Sequence, residues 1–414
     1  MKILHTSDWH LGHQLLSKKR YREHGQFLEW LIDLIKEERV DVLLVSGDIF
    51  DTTTPSHSSQ ELYYNFLRNL SQTSCQQTVI IGGNHDSFTF LNASRDLLRM
   101  MNIHIITSAI PDIEKEIVHL KLAGKGDEED IEEIIICAVP YLRERDLRIP
   151  EENESHEAKH LKSQQGLFRH FQTLGDLAEK IRAKHNDYIP IIGMAHLFMS
   201  GGKTVTGDGV RELYVGLASR VGEDVLPECV DYWALGHLHA PQFVGTTGKI
   251  CYSGSPIPMG FGEIAQEKKV FLLDVNGKNM KIESRAIPRF QQLKLIKGNW
   301  SHINDEVDKL IVQNSEAWVE IEYTGDDLVG DMREQLERKI SATKLEILKI
   351  KNQKITDLIL NKSIDLKPLN EMSVYQVFEK CLINHQVPKD QASVFKEKLD
   401  EVLIALSESD IDAV

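Results

Sequence analysis

Five short segments, spread over more than half of the chain, each close an apolar run with residues that bind divalent cations. They are Asp8-Trp9-His10, Gly47-Asp48, Gly83-Asn84-His85-Asp86, His196 and Gly236-His237-Leu238-His239. Carboxylate, amide oxygen and imidazole suit hard or borderline ions, and no cysteine is among them. Asp8, His10, Asp48, Asn84, His196, His237 and His239 make seven ligands, too many for one ion. They suit two ions that share a carboxylate, an arrangement that clamps the attacking and leaving oxygens of a phosphate ester during in-line displacement. Taken singly the segments say little, since a lone histidine such as His196 is usually a satisfied core residue. The combination, each member after a β-like run, gives the set its meaning.

Such ligands need rigid elements to aim them. Runs rich in isoleucine and valine precede them: Ile3-Leu4, Val42-Leu43-Leu44-Val45, Val79-Ile80-Ile81, Ile189 to Ile192 and Val230 to Leu235. Continuous apolar runs predict strands buried on both faces. Between the first two, Phe27, Leu28, Trp30, Leu31, Leu34 and Ile35 recur at helical spacing, and Leu62 to Leu70 repeats the pattern before the third. The fold class is therefore α/β, with the ligands at the carboxyl ends of strands, where open α/β sheets place their sites. From Ile131 onward the pattern turns toward β, including Lys269 to Val275 before the turn signal Asn276-Gly277. The charged segments 123–133 and 150–165 predict exposed loops.

After Pro288 a new rhythm begins. It predicts a strand near Leu293 to Ile296, a helix over 301–312, a strand over 317–323, a helix over 328–342 and a strand over 345–351, together a small α+β unit. Pro368 and its polar neighbours mark a further boundary at Leu366 to Asn370. Beyond it lie two helical stripes: Val374, Phe378, Cys381 and Leu382, then Phe395, Leu399, Val402, Leu403 and Leu406. Two helices this short can hardly bury both stripes on each other, which predicts docking on the parent domain or, as their place at the end of a linker favours, on another chain.

A chain of 414 residues exceeds what one hydrophobic core usually supports, so more than one domain is expected. The hydrophobic fraction of 41% and charged fraction of 27% are ordinary for a soluble protein, and no stretch is apolar enough to span a membrane. The first ligand segment follows Met1 too closely for a signal peptide, and a cytoplasmic location is expected. The five cysteines are scattered, without a C-x-x-C pair, which argues against a disulfide framework or a thiolate zinc site. A net charge of −15 argues against a nucleic-acid binder with an all-over basic field. A polynucleotide substrate would need local basic patches, metals or a partner. Lys18, Lys19, Arg20 and Arg22 are the local candidates for phosphate contact. Ser200-Gly201-Gly202-Lys203-Thr204 ends like a phosphate-binding loop, but the first glycine of that motif would fall on Leu197, and the segment reads as an ordinary loop.

The motifs D-x-H, G-D-x-x-D, G-N-H-D and G-H-x-H stand in that order, with His196 between the last two, and in this the chain resembles the calcineurin-like metallophosphoesterases. The resemblance implies a β-sandwich flanked by helices. It implies one ion on Asp8, His10 and His239, the other on Asn84, His196 and His237, and Asp48 bridging both. A water between two cations roughly 3.5 to 4 Å apart becomes acidic enough to attack phosphorus at neutral pH. His85 is implied as the catalytic histidine, steadying charge on the phosphoryl group or protonating the leaving oxygen. Asp51 and Asp86 are expected either to fix His85 or a ligand imidazole in one tautomer or to serve as turn carboxylates that cap a helix.

The wording of Met1 to Gly12, Gly47-Asp48-Ile49-Phe50-Asp51, Ala234 to His239 and Tyr252-Ser253-Gly254-Ser255-Pro256-Ile257-Pro258 is similar to the SbcD family of bacterial nuclease subunits. That likeness implies a manganese-dependent DNA nuclease, an exonuclease on double-stranded ends and an endonuclease on hairpins and single strands, serving DNA replication, repair and recombination. It implies a homodimer within a heterotetramer with an SbcC-like ATPase. The implied domains are a nuclease domain over 1–287, an α+β capping domain over 288–366, and a linker with C-terminal partner-binding helices over 367–414. Archaeal and eukaryotic relatives carry a second catalytic histidine where Asp51 stands, so here the burden falls on His85. The same ligands would serve a small-molecule phosphodiesterase or phosphatase. A non-catalytic scaffold is the third reading, and the intact ligand set argues against it.

Overall fold

The computed structural model describes residues 1–109, 112–124, 131–149, 151, 154–185, 188–204, 221–325, 329 and 331–352, with Phe378, Glu379, Leu382 and Leu399. Its centre is a pair of six-stranded sheets. The first runs Asn279–Ala286, Lys269–Asn276, Lys2–Thr6, Val42–Ser46, Gln77–Ile81, Ile103–Ile106. The last four strands are parallel, and the antiparallel hairpin closes one edge. The second runs Gln242–Val244, Ile250–Tyr252, Tyr232–Gly236, Ile191–His196, Ile131–Ala138, Ile117–Ala123. Its four middle strands are parallel and both edges antiparallel.

Alternation along each strand explains the continuous apolar runs. Ile3, Val42, Leu44, Val79 and Ile81 meet Ile134, Ile136, Ile192, Met194 and Ala234 of the other sheet, forming a largely apolar interlayer. Leu4, Leu43, Val45 and Ile80 turn the other way, toward Phe27, Leu31, Phe66 and Leu67 of helices Tyr21–Glu38 and His57–Leu70. On the far side Ile135, Ile191 and Leu235 pack on Leu167, Phe171 and Leu174 of helix His156–Arg182. The layers are helix, sheet, sheet, helix, so both faces of each sheet are buried.

That third helix overturns, from His156 onward, the exposed loop expected over 150–165, of which 150, 152 and 153 lie outside the described residues. The Ser155 hydroxyl accepts from Ala158 N at 3.2 Å and starts 27 residues of helix. The apolar residues that dock it on the sheet begin only at Leu167, so its charged opening turns carry no helical stripe. The strand Ile131–Ala138 agrees with the turn toward β expected from Ile131 and takes the last three residues from the loop expected over 123–133.

The α+β stretch forms a three-stranded sheet, Leu293–Gly298, Trp318–Tyr323 and Glu346–Asn352, with helices Trp300–Val312 and Met332–Ile340 close to the predicted spans. It has its own core of Ile296, Ile303, Val307, Val319, Ile321 and Leu336. The first compact unit is Met1–Ile350, and the second is Lys351–Val414. Apart from Phe378, Leu382 and Leu399, the two C-terminal stripes lie outside the described residues. Among the described residues no helix is long and apolar enough to cross a membrane.

Candidate metal centre

All five ligand segments follow or end parallel strands at one end of the sandwich. Asp8 and His10 follow Lys2–Thr6, Asp48 follows Val42–Ser46, and Asn84 and His85 follow Gln77–Ile81. His196 ends its strand, and His237 and His239 follow Tyr232–Gly236. Small residues let these loops converge. A Cβ on Gly236 would stand 1.8 Å from the Ser46 carbonyl oxygen of the other sheet, and one on Gly83 would stand 2.2 Å from Asp48 Oδ1. The Ser46 hydroxyl donates across the interlayer to Ala234 O at 2.9 Å.

Backbone geometry is unusual at four of the ligands. Asp8, His10, Asp48 and His237 have φ of 51°, 44°, 49° and 104°, a region that side chains with a Cβ rarely adopt. The loops hold one another there: Asp8 N donates to Gly47 O at 3.0 Å and His10 N to Asp48 O at 2.9 Å.

Lone pairs gather around two points. His10 Nε2 lies 3.2 Å from His239 Nε2 and 3.6 Å from Asp48 Oδ2. His196 Nε2 lies 3.3 Å from the same Asp48 oxygen and 3.0 Å from Asn84 Oδ1, which is also 3.0 Å from His237 Nδ1. Asp8, His10 and His239 can converge on one ion, and so can Asp8, Asp48 and His196. Six of these side chains are buried, whereas Asn84 and His85 are half-buried and form the open lip.

Other groups set the tautomers. His196 Nδ1 donates to Ser46 O at 2.9 Å, which leaves its Nε2 free for an ion, and His10 Nδ1 sits 3.3 Å from Asp51 Oδ1. His239 Nδ1 lies 3.5 Å from Glu263 Oε1, and Glu263 is held by a 2.5 Å ion pair to Lys268. His85 Nδ1 donates to Asp51 O at 2.9 Å, and its ring stands edge-on to His10 with centroids 4.8 Å apart.

The charge balance favours cations. Burial would raise Asp48, but the imidazoles of His196, His10 and His85 hold its carboxyl well below the usual range. Burial would lower His196, yet Asp48 and Asp8 lift it to about 9. His237, buried and beside His196, is pushed down to about 3. Carboxylate, amide oxygen and imidazole nitrogens gathered at these distances fit the divalent ions that the donor set implies.

Some residues stand away from the ligands or serve elsewhere. Asp86 reaches no imidazole: its carboxylate accepts from Gly83 N, Ile49 N and Phe50 N at 2.9, 3.1 and 3.0 Å, tying the Asp48 loop to the Asn84 loop. Burial and the nearby Asp48 push it up to about 6. Arg20 is not a surface cation, which corrects its assignment as a DNA contact. It is buried, with Nε donating to Glu23 at 2.7 Å and Nη1 to Pro258 O at 2.5 Å, because a guanidinium can satisfy several acceptors inside. Lys18 pairs with Glu346, while Lys19 and Arg22 remain exposed.

Sequence reasoning missed four contributors. Ser7 donates to Asp8 Oδ2 at 2.5 Å, and His13 Nδ1 lies 3.1 Å from Asp51 Oδ1. Glu263 and Lys268 orient His239, with Lys268 also donating to His239 O at 2.9 Å. The Tyr252 to Pro258 motif pointed toward this region, since Ser253 Oγ lies 2.8 Å from Ser7 Oγ.

The chain matches the calcineurin-like phosphoesterase family over residues 1–241 and the type 5 capsule protein repressor C-terminal domain family over residues 289–386. It is 31% identical to the SbcD subunit of nuclease SbcCD from Escherichia coli (strain K12), across 94% of this chain and 95% of that protein. It is 35% identical to the Rhodobacter capsulatus protein of the same name, across 67% of each. A solved dimetal phosphatase from Danio rerio is similar over 70% of this chain and 97% of its own, at 14% identity and a TM-score of 0.41.

Proposed function

Because this chain belongs to the calcineurin-like phosphoesterase family, and within it to the SbcD subunits of nuclease SbcCD, we propose that it hydrolyses DNA phosphodiesters with two Mn2+ ions. The chain is a metal-dependent phosphodiesterase of the nuclease type. What carries the finer reading is the convergence of six further ligand side chains around Asp48, with the half-buried His85 beside them.

On this reading Asp8, His10 and His239 hold one ion, Asn84, His196 and His237 hold the other, and Asp48 serves both. When bound, the ions acidify a water and draw charge from the phosphoryl oxygens. The protein's part is orientation. The Ser46 carbonyl keeps the His196 proton on Nδ1, while Asp51 and Glu263 stand behind the Nδ1 atoms of His10 and His239 at 3.3 and 3.5 Å. His85 commits Nδ1 to the Asp51 carbonyl, so Nε2 is the nitrogen for substrate, donating to a phosphoryl oxygen or to the leaving oxygen.

We further propose exonuclease action on double-stranded ends and endonuclease action on hairpins and single strands, within DNA replication, repair and recombination. The acidic chain would work in the cytoplasm as a homodimer with an SbcC-like ATPase, which would supply much of the grip on DNA. Residues 288–366 would cap the site, and 367–414 would dock the partner. Lys18, Lys19 and Arg22 are the remaining phosphate-contact candidates.

The test is degradation of linear duplex DNA by the purified chain with Mn2+. Asp48→Ala should slow it by about 1000-fold or more, and His85→Ala by about 100-fold, losses on the scale of electrostatic and acid–base contributions. Wild-type rates from Asp48→Ala would overturn the two-ion site. Cleavage of phosphomonoesters or nucleotides but not of DNA would replace the nuclease with a small-molecule phosphoesterase.

A further inference from the structure

At the other end of the second sheet, away from the strand ends that carry His196 and His237, lies a second group of ligand-type residues. His119 sits on the edge strand opposite Ile135, and Glu133 sits on the neighbouring strand opposite Lys121. Ile135 belongs to the core under helix His156–Arg182, so residues on that strand two apart from it, including Glu133, share the helix-covered face. His185 arrives on the same face from the turn just past that helix.

The three side chains converge. His119 Nε2 stands 2.6 Å from Glu133 Oε2, and His185 Nδ1 stands 3.8 Å from the same oxygen. The imidazoles meet edge to face, with centroids 5.4 Å apart at 89°. His119 Nε2 and Glu133 Oε2 are both buried atoms, yet neither meets hydrogen-bond geometry with any partner. One nitrogen from each ring and a Glu133 carboxylate oxygen all lie within 4.8 Å of one another, close enough to share one ion. The side chains are 24%, 18% and 30% exposed, open enough for an ion to enter from water.

We propose that His119, Glu133 and His185 form a second cation site, distinct from the phosphoesterase centre, for a borderline transition ion of the zinc class. Two imidazoles and one carboxylate favour Zn2+, Ni2+ or Cu2+ over the hard Mg2+ and Ca2+. Three protein ligands leave the fourth position of a tetrahedral ion to water. Lys121 Nζ lies 3.3 Å from Oε1 of Glu133, so it engages the other carboxylate oxygen and leaves Oε2 for the ion. The ligands come from two strands of a hairpin and from the end of the longest described helix. A bound ion would staple these segments together and stabilise the folded state by mass action.

The test compares wild type with His119→Ala, Glu133→Gln and His185→Asn, none of which touches the phosphoesterase centre. Each protein is dialysed against Zn2+ or Co2+ and its ions are counted, with visible spectra for Co2+. Wild type should retain about one ion per chain more than each variant, the difference expected from a single lost site. Its Co2+ spectrum should show tetrahedral absorption that the variants lack, and its melting temperature should rise further with Zn2+. Mn2+-dependent nuclease activity should be equal in all four. Glu133→Gln keeps the shape of the side chain and serves if an alanine variant fails to fold. Equal ion counts and equal Zn2+ response in wild type and Glu133→Gln would leave only an ion-paired surface cluster and overturn the proposal.

Discussion

The first sheet sends Asp8, His10, Asp48, Asn84 and His85 to the centre from loops beyond three adjacent strands. The second sends His196 from the last residue of one strand and His237 and His239 from the loop after its neighbour. The carboxylates and the amide oxygen come from the first sheet, and the second supplies imidazoles alone. These imidazoles are not aimed by their own sheet. The Ser46 carbonyl fixes His196, and Asp8 Oδ1 accepts the backbone N–H of His237 at 2.9 Å. The lesson is that on the proposed partition each ion draws donors from both sheets, so that donor set forms only when the sandwich closes.

Pushing the sheets apart should break this interdependence most severely. Gly236→Ala places a methyl 1.8 Å from Ser46 O and 2.9 Å from His196 Nδ1. Overpacking of this kind should destabilise the protein by about 3 kcal/mol and abolish tight metal binding. Chemical denaturation and calorimetric titration with Mn2+ measure the two effects, and wild-type affinity in this variant would show that the sheets act independently.

A smaller effect should follow from disturbing the orientation of a first-sheet ligand without moving either sheet. Asp51→Asn retains the backbone carbonyl that holds His85 but weakens the hold on His10 and His13. Metal affinity should fall about 10- to 100-fold, as for other residues that orient a ligand from behind. Equal affinity in Asp51→Asn would mean that the loop backbone alone aims His10.

The mildest probe lies in the interlayer itself. His5 is buried between the sheets, with Nδ1 3.0 Å from Tyr232 Oη and Nε2 3.2 Å from Leu235 O, and burial pushes it from 6.5 down to about 3. Between those values the unfolded chain binds a proton at His5 that the folded chain refuses. Stability contributed by the neutral ring is therefore intact above pH 6.5 and lost as pH falls toward 3. His5→Leu should remove this component, so the stability gap between wild type and variant should change by up to about 1.4 kcal/mol per pH unit across the window. Urea melts at successive pH values measure it, and a constant gap would exclude His5 as the sensor.

Much of this arrangement is legible in the sequence. Isoleucine and valine runs ending in ligand residues announced strands whose carboxyl ends meet, and those strands do meet at one end of the sandwich. Glu263 and Lys268 were not legible, because a buried ion pair behind a ligand leaves no periodic trace in the chain. Arg20 misled because four nearby cations look alike in sequence, whereas only the fold decides which one turns inward to Pro258 O and Glu23. The opening of helix His156–Arg182 was missed for the opposite reason. Its first turns are polar, and packing on the sheet begins with Leu167.

Asn84 and His85 stand half-buried beside six buried ligands, which makes theirs the more accessible side of the site. On the proposed partition of ligands, the Asn84 ion shares one carboxylate, while the ion on the Asp8 side has two. A chelator would then strip the protein in order, Asn84 side first, through a half-loaded species that still carries the Asp8 ion. Refilling would run in reverse, and under scarce metal the fraction of competent enzyme would follow the weaker ion rather than the average of the pair.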